Sequence, residues 1–243
     1  FMAEAIESLD FSGFDLVIGS SSNFAKGAIV PPETPFLCYM HTPTRFLWEE
    51  RHRYLGGLGW SHIGQAIMRP FLHRLRLWDR LSAERPDHLL TNSLTSKQRI
   101  KRYYQREAHV VYPPVDLASI PQKQDIANEY WLAGGRFVPY KRLDLVIRAA
   151  NELEVPLKIF GTGPLRHELR RLAGKTVEFV GKVSEQEKWK LFAGAKGFLM
   201  PQVEDFGITA IEAAATGTPV LAFASGGAKE ILTSEAGLLF PEQ

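Results

Sequence analysis

The fold is decided by the stretch Leu157-Lys158-Ile159-Phe160-Gly161-Thr162-Gly163-Pro164 and the residues 165–173 that follow it. A strand-like run leads into a glycine-containing turn, and the turn leads into a helical pattern. The same order recurs from residue 129 onward, with strands predicted at 129–133, 177–180, 197–200 and 219–224, and helices at 142–153, 184–195 and 208–216. Strands that alternate with helices predict a doubly wound α/β layer with a mostly parallel sheet.

The first half of the chain shows a less regular version of this alternation. Strands are predicted at 15–19, 36–40, 88–91 and 109–112, with a long helix at 64–84. One face of that helix carries Met68, Phe71, Leu72, Leu75 and Trp78, and another carries Arg69, Arg76 and Arg80. Pro113-Pro114 and the polar run 118–128 interrupt the pattern. They predict a domain boundary between residues 118 and 119, with one domain at 1–118 and the other at 119–243.

Composition excludes several classes of protein. With 11% aromatic residues and a net charge of +2, the 243-residue chain is not disordered, and one cysteine cannot form a disulfide framework. We expect no spanning helix, because no apolar run reaches about 18–20 residues, and no signal peptide at the N-terminus. A helical pattern opens at residue 1 with no strand before it, so we expect the chain to begin inside a domain.

Charge is unevenly distributed. Residues 66–110 hold ten Lys and Arg against four acidic residues. Either the helices there have ordinary solvated faces, or they form a basic surface for an anionic membrane or a phosphate-bearing acceptor. Nucleic acid is not an expected partner, because no binding-module signature accompanies the near-neutral charge.

Three glycine-containing turns follow strands in the second half: Gly134-Gly135, Gly161-Thr162-Gly163 and Gly226-Gly227. Each is either a plain connection or a place where backbone amides approach a ligand. Arg136 follows the first turn, and Lys141 is predicted at a helix start, where its charge opposes the helix dipole unless an anion is present. A guanidinium and an ammonium together favour a diphosphate, with solvated surface charge as the alternative.

Two carboxylates flank the next candidate segment. Glu204 is predicted in a loop after a strand, and Glu212 in the following helix. They could accept hydrogen bonds from hydroxyls of a sugar and of a ribose, or form a general acid/base pair. Between them, the amides of Phe206, Gly207, Ile208 and Thr209 are predicted to face a phosphate or hydroxyl at the helix N-terminus.

A histidine at the end of a predicted strand is the candidate from the first half. His41 follows Phe36–Met40 and precedes Thr42-Pro43, so it either lies at a cleft or is a satisfied buried histidine. No histidine pair has metal-ligand spacing. Cys38 is predicted to be a small core residue.

Several motifs together resemble a known family. Glu204 and Glu212, with seven residues between them, are similar to the E-x7-E motif of GT-B retaining glycosyltransferases of family four, the glycosyl transferases group 1. The run from Gly135 to Lys141 is similar to their phosphate-binding G-R-x-x-x-x-K stretch. A mannosyltransferase-like branch is indicated by similarity in residues 39–48, Asn92-Ser93, Arg99-Ile100 and 112–116.

The resemblance implies two Rossmann-like domains facing a cleft, and transfer of a hexose such as mannose from a nucleotide sugar such as GDP-mannose to a glycan or lipid-linked acceptor. Catalytic roles would fall to His41, Arg136, Lys141 and Glu204. Donor-binding roles would fall to Gly135, Gly161, Gly163, Val180, Gly181, Phe206, Gly207, Ile208, Thr209 and Glu212. The anomeric configuration would be retained, the leaving diphosphate would help to deprotonate the acceptor, and no cofactor or metal would be needed.

The resemblance also implies that both domains are truncated, the first lacking its opening strand and glycine-rich loop and the second lacking its C-terminal helices. A cytoplasmic location is expected, with peripheral docking on the membrane through the arginine face and residues 99–102. Two alternatives remain open: a non-catalytic nucleotide-sugar-binding fragment, and a nucleotide-sugar epimerase on the same fold.

Overall fold

A computed structural model of the protein describes residues 2–50, 62–117, 120 and 129–243. The chain divides into two compact units, Phe1–Tyr112 and Pro113–Gln243, called unit 1 and unit 2 below. The predicted domain boundary at residues 118/119 lies outside the described residues and stays a prediction. Among the described helices, none is both long enough and apolar enough to cross a membrane.

Unit 1 is built on a four-stranded parallel sheet of order β1-β2-β3-β4. The strands are β1 (Val17–Ser21), β2 (Phe36–Met40), β3 (His88–Thr91) and β4 (His109–Val110). The helices are α1 (Met2–Glu7), α2 (His62–Ser82) and α3 (Leu94–Tyr104), with a 3-10 turn at Ala25–Gly27. The sequence patterns locate β2, β3 and α2 correctly. They miss α3, whose N-terminus is capped by the Ser93 side chain accepting a hydrogen bond from the Ser96 amide.

The core of unit 1 lies between the sheet and these helices. It contains Phe36, Cys38, Met40, Leu89 and Ile100, each 2% exposed or less. Cys38 is thus a core residue as predicted, and burial raises the pKa of its thiol to about 11.

A buried polar network ties the loop after β2 to the helices of unit 1. The carboxylate of Asp79, in α2, accepts hydrogen bonds from Lys26 Nζ (2.6 Å), Thr44 Oγ1 (2.6 Å), Trp48 Nε1 (2.7 Å) and Tyr104 OH (2.7 Å). The Lys26 and Asp79 side chains are 1% and 2% exposed. Burial lowers the pKa of Lys26 and outweighs the opposing effect of Asp79. Four donors on one carboxylate satisfy a charge that would otherwise be costly to bury.

Unit 2 contains a six-stranded parallel sheet with helices between its strands. Its strands are β5 (Tyr130–Arg136), β6 (Leu157–Thr162), β7 (Val177–Gly181), β8 (Ala195–Met200), β9 (Val220–Phe223) and β10 (Gly237–Phe240). Its helices are α4 (Leu143–Glu152), α5 (Arg166–Leu172), α6 (Glu185–Ala193), α7 (Ile208–Ala215) and α8 (Ala228–Ile231), with a 3-10 turn at Pro139–Lys141. The predicted alternation is confirmed, and β10 is the strand it did not include.

The order of the strands in unit 2 fixes where a ligand can bind. The sheet runs β10-β9-β8-β5-β6-β7, so the chain builds outward from β5 in one direction and then returns to add β8 on the other side. The loops that follow the neighbouring strands β5 and β8 therefore lead to opposite faces of the sheet. In open parallel sheets, this reversal creates a crevice at the carboxyl ends of the two strands.

Candidate functional site

The loops after β5 and β8 bring two predicted site residues into contact. Lys141 Nζ donates a hydrogen bond to Glu204 Oε1, and Gln202 Nε2 donates to the same oxygen at 2.8 Å. The side chains of Lys141 and Glu204 are 15% and 17% exposed, so the pair is sheltered but reachable. A charged pair therefore occupies the crevice that the strand order creates.

The backbone around Lys141 differs from the prediction of a helix start. Lys141 ends the 3-10 turn Pro139–Lys141, and Arg142, with φ of 49°, separates it from α4. The ammonium is neutralised by Glu204, so its charge does not stand uncompensated at a helix N-terminus. Gly135, with φ of 124°, lies close to this side chain, because a Cβ added to Gly135 would be 3.7 Å from Lys141 Nζ.

Arg136 supplies a second positive charge on the same loop. It is the last residue of β5, and its side chain is exposed. Lys141 follows five residues later. Because an ammonium has three donors and Glu204 accepts one of them, Lys141 keeps donors for an anion that Arg136 would also face.

The turn containing Gly161 and Gly163 packs against the loop after β5. A Cβ on Gly161, whose φ is 107°, would be 1.9 Å from the carbonyl oxygen of Gly135, and one on Gly163 would be 2.6 Å from the nitrogen of Phe137. Phe137 N also donates to Thr162 O at 2.9 Å. These glycines shape the floor of the crevice through backbone packing, while their predicted contact with a donor stays a prediction.

The third glycine turn seats the backbone of Glu204. Gly227 N donates to Glu204 O at 2.8 Å, and a Cβ on Gly226 would be 2.3 Å from that oxygen. The Gly227 amide is therefore bonded within the protein. Of the two alternatives for this turn, a plain connection or a place where amides approach a ligand, this hydrogen bond favours the first. A Cβ on Gly227 would likewise be 2.3 Å from Phe206 O, so this turn supports the Glu204–Phe206 loop.

The predicted amides lie at the start of α7. Gly207, with φ of 107°, is the N-cap residue, and Ile208 begins the helix. The Phe206 side chain is buried, which anchors the segment, while Ile208 is 41% exposed. Thr209 lies in the first helical turn, and the predicted contacts of all four residues with a phosphate or hydroxyl remain untested.

Glu212 has a partner that the sequence did not reveal. Its Oε1 accepts a hydrogen bond from Lys188 Nζ of α6 at 3.0 Å, and both side chains are 13% exposed. Lys188 Nζ also lies 2.7 Å from Glu185 Oε2. Burial alone would lower the pKa of Lys188, but the hydrogen bonds from Lys188 to Glu185 and Glu212 raise it above its usual value.

Val180 and Gly181 lie farther along the same edge of the sheet. They end β7, an edge strand separated from β5 by β6. Val180 packs against the core, while a Cβ on Gly181 would meet no atom within 4 Å. They end the strand that lies two places from β5, whose loop carries Lys141, and their predicted contact with a donor stays a prediction.

His41 belongs to unit 1 and lies directly after β2. Its Nε2 is hydrogen-bonded to Ser20 Oγ at 2.9 Å, its backbone nitrogen donates to Ser21 O at 2.9 Å, and its carbonyl accepts from Ser96 Oγ at 2.8 Å. The side chain is half-buried, so it is neither a fully buried histidine nor a freely solvated one. Its catalytic role is untested.

Metal ligands are not clustered in the described parts of the chain: no three His, Cys, Asp or Glu side chains there converge on one point. The described side chains at the crevice of unit 2 include three cations, of Arg136, Lys141 and Lys188, the carboxylates of Glu204 and Glu212, and the N-terminus of α7. Such a set suits an anionic ligand that also carries hydroxyl groups.

Known structures share this architecture. The chain superposes on sucrose-phosphate synthase from Thermosynechococcus elongatus with a TM-score of 0.72 and 21% identity, covering 96% of this chain and 62% of that one. Two Rossmann-like units with parallel sheets place the protein in the GT-B class of folds. Residues 119–243, just over half of the chain, match the family described as Glycosyl transferases group 1, and the protein belongs to that family.

Two curated relatives are mannosyltransferases. A GDP-mannose-dependent monoacylated alpha-(1-6)-phosphatidylinositol monomannoside mannosyltransferase from Corynebacterium glutamicum is 37% identical over 120 residues, 43% of this chain and 32% of that protein. The O-antigen chain mannosyltransferase C of Escherichia coli is 30% identical over 146 residues, 54% of this chain and 39% of that protein. The matched region thus spans between about a third and two fifths of these relatives.

Proposed function

We propose that the protein is a retaining glycosyltransferase that moves mannose from GDP-mannose to a glycan or lipid-linked acceptor. The observation that carries this proposal is the meeting of Lys141 and Glu204 at the point where the strand order of unit 2 reverses. Family membership supports glycosyl transfer, and the names of two relatives support mannose.

The charges in the crevice favour a nucleoside diphosphate as the bound group. Lys141 pairs with Glu204, and Lys188 pairs with both Glu212 and Glu185, while Arg136 lies exposed at the end of β5. A diphosphate would take donors from Arg136 and Lys141, while the carboxylate of Glu204 would accept hydrogen bonds from sugar hydroxyls.

The proposed step needs no group outside the substrates and these side chains. An acceptor oxygen forms a bond to the anomeric carbon as the bond from that carbon to the diphosphate oxygen breaks, and the proton of the acceptor passes to the leaving diphosphate. Attack on the face from which the diphosphate leaves retains the configuration. Arg136 and Lys141 stabilise the charge that develops on the diphosphate, and one such preorganised donor is worth about 2.7–4 kcal/mol.

We propose that His41 of unit 1 forms a hydrogen bond with a sugar hydroxyl. Its ring is held by Ser20 and by edge-on packing against Tyr39, with ring centroids 5.2 Å apart. A fixed imidazole can act as a hydrogen-bond donor or acceptor toward a sugar hydroxyl.

Turnover of GDP-mannose with a panel of mannosyl acceptors tests the function. Lys141→Ala and Glu204→Ala should each lower turnover by about 10²–10³-fold, the loss typical of one preorganised group. Lys175→Ala, which changes an exposed lysine between α5 and β7, is the matched control and should leave turnover unchanged. Wild-type activity in both site variants would refute the site assignment.

The same samples separate the alternatives. NMR of the product distinguishes a retained glycoside from an epimerised nucleotide sugar, and epimerisation would proceed without any acceptor. GDP binding with no turnover of either kind would favour the non-catalytic module.

We also propose that unit 1 binds an anionic membrane surface, although through fewer arginines than the sequence suggested. Arg76 Nε donates to Leu47 O at 2.9 Å and Arg80 donates to Tyr103 O at 3.2 Å, so both support unit 1 internally. Arg69 remains exposed on α2, and Phe71, on a different face of the same helix, is 52% exposed. Sedimentation with anionic vesicles should show binding that high salt weakens and that Arg69→Ala reduces, and no sedimentation at low salt would refute the proposal.

A further inference from the structure

Lys188 occupies a position that helix electrostatics alone does not favour. It lies in the first turn of α6, where its backbone nitrogen donates to Ser184 O at 2.9 Å. Positive charge at this end of a helix opposes the helix dipole. The unfavourable placement is offset by the two carboxylates, of Glu185 and Glu212, that its ammonium contacts.

The two carboxylates are not equivalent. Glu185 is 75% exposed, whereas Glu212 is 13% exposed and belongs to the neighbouring helix α7. A solvent-exposed ion pair contributes little, because water screens it. The contact with the sheltered Glu212 is therefore the more important one. Without Lys188, the Glu212 carboxylate would be partly desolvated and would lack this counter-charge.

The base of Lys188 is also held rigidly. Ser184 and Glu187 form a capping box, with Ser184 N donating to Glu187 Oε2 at 2.8 Å. Next to Lys188, the side chain of Trp189 is buried in the core. The lysine thus projects from a fixed helix end toward a fixed helix face.

The geometry points to Lys188 as a positioning residue that holds Glu212 ready to read the ribose hydroxyls of a nucleoside diphosphate. A carboxylate has about four acceptor sites, and the hydrogen bond from Lys188 uses one, on Oε1. Acceptor capacity remains for a pair of vicinal hydroxyls. The ammonium also offsets a negative charge that would repel the diphosphate. This inference rests on the proposed function, because it assigns a ribose to Glu212.

The test compares GDP with 2′-deoxy-GDP by isothermal titration calorimetry on the whole chain. Wild-type protein should bind GDP at least about tenfold more tightly than the deoxy compound, since the missing hydroxyl leaves an acceptor of Glu212 unpaired. Lys188→Met keeps most of the alkyl stem and removes the charge. It should weaken GDP binding and bring the ratio of the two dissociation constants to within about threefold.

Two further variants separate positioning from folding. Lys188→Arg keeps the charge and should keep most of the preference for ribose, a rescue that loss of structure would not produce. Lys196→Met changes an exposed lysine at the amino end of β8, whereas the crevice lies at the carboxyl ends of the strands. It should leave both dissociation constants within about twofold of wild type.

A wild-type ratio in Lys188→Met, or equal binding of the two nucleotides by the wild-type protein, overturns the role of Lys188 while leaving the proposed function intact. If the wild-type protein binds neither nucleotide, the proposed GDP-sugar function fails, and this inference fails with it.

Discussion

Asp79 should be among the most sensitive single positions for the stability of unit 1. Changing it to Asn removes the counter-charge of the 1%-exposed Lys26 and replaces a four-fold acceptor by a group that is partly a donor. Breaking a buried ion pair by removing one partner costs about 3–5 kcal/mol. Small domains have only about 5–15 kcal/mol of total stability, so this loss is a large part of it.

A double-mutant cycle with Lys26→Met assigns this loss to the buried charge. With methionine at position 26, no ammonium is left uncompensated when Asp79 becomes Asn. The cost of Asp79→Asn should therefore fall by about 2–3 kcal/mol in that background, the upper part of the range of about 0.5–3 kcal/mol seen between directly contacting residues.

Cys38 provides the assay, because it is the single cysteine of the chain and lies fully buried in unit 1. Pulse labelling of this thiol across a urea series reports the unfolding of unit 1. With a slope near 2 kcal/mol/M, a loss of 3–5 kcal/mol moves the midpoint down by about 1.5–2.5 M. Hydrogen exchange over β6 serves as the control in unit 2.

Two results would refute the reasoning about Asp79. One is a loss below about 1 kcal/mol for Asp79→Asn, as expected for an exposed ion pair. The other is a coupling energy within about 0.5 kcal/mol of zero, which would mean that Lys26 and Asp79 contribute independently.

Two other perturbations test local features of the fold. Gly161→Ala should lower the stability of unit 2 by more than about 2 kcal/mol in thermal melts, because the added Cβ would lie 1.9 Å from Gly135 O. The control is Gly181→Ala, which also has a positive φ but faces open space and should cost clearly less. Equal losses of stability in the two variants would contradict the packing argument. Hydrogen bonds from Trp78 and Arg85 lower the pKa of Glu7, so its stabilising effect is present above its usual pKa of 4.5 and is lost as the pH falls through the folded-state pKa. Acid unfolding followed by circular dichroism should accordingly be less steep below pH 4.5 for Glu7→Gln, and identical profiles would contradict this.

Sequence patterns predicted most of the unit 2 fold because its signals are local. The helix predicted at 184–195 is confirmed, with a capping box of Ser184 and Glu187 at its start, and the turn at Gly161 follows β6 as expected. By contrast, β10 has a short Gly-Leu-Leu-Phe sequence at the edge of the sheet, where neither alternation nor length distinguishes it from a loop. Helix α3 was missed because its polar and basic residues obscure the few buried positions of its inner face.

The candidate site was predictable in its main residues and less so in their partners. Charged residues in the segments after predicted strands pointed to the loops holding Lys141 and Glu204, and the structure brings these two together. Lys188 lies 24 residues from Glu212, and Lys26 lies 53 residues from Asp79. Pairings at such separations depend on how helices pack, which no local pattern encodes.

The central claim, that the crevice of unit 2 binds the diphosphate of a nucleotide sugar through Arg136 and Lys141, is tested most directly by calorimetric titration of GDP into the wild-type protein and into Arg136→Ala/Lys141→Ala. The account predicts saturable binding by the wild type and at least a hundredfold weaker binding by the double variant, since two charge-assisted hydrogen-bonding groups at about 1.5–3 kcal/mol each are lost. Equal affinity of the two proteins for GDP would contradict it.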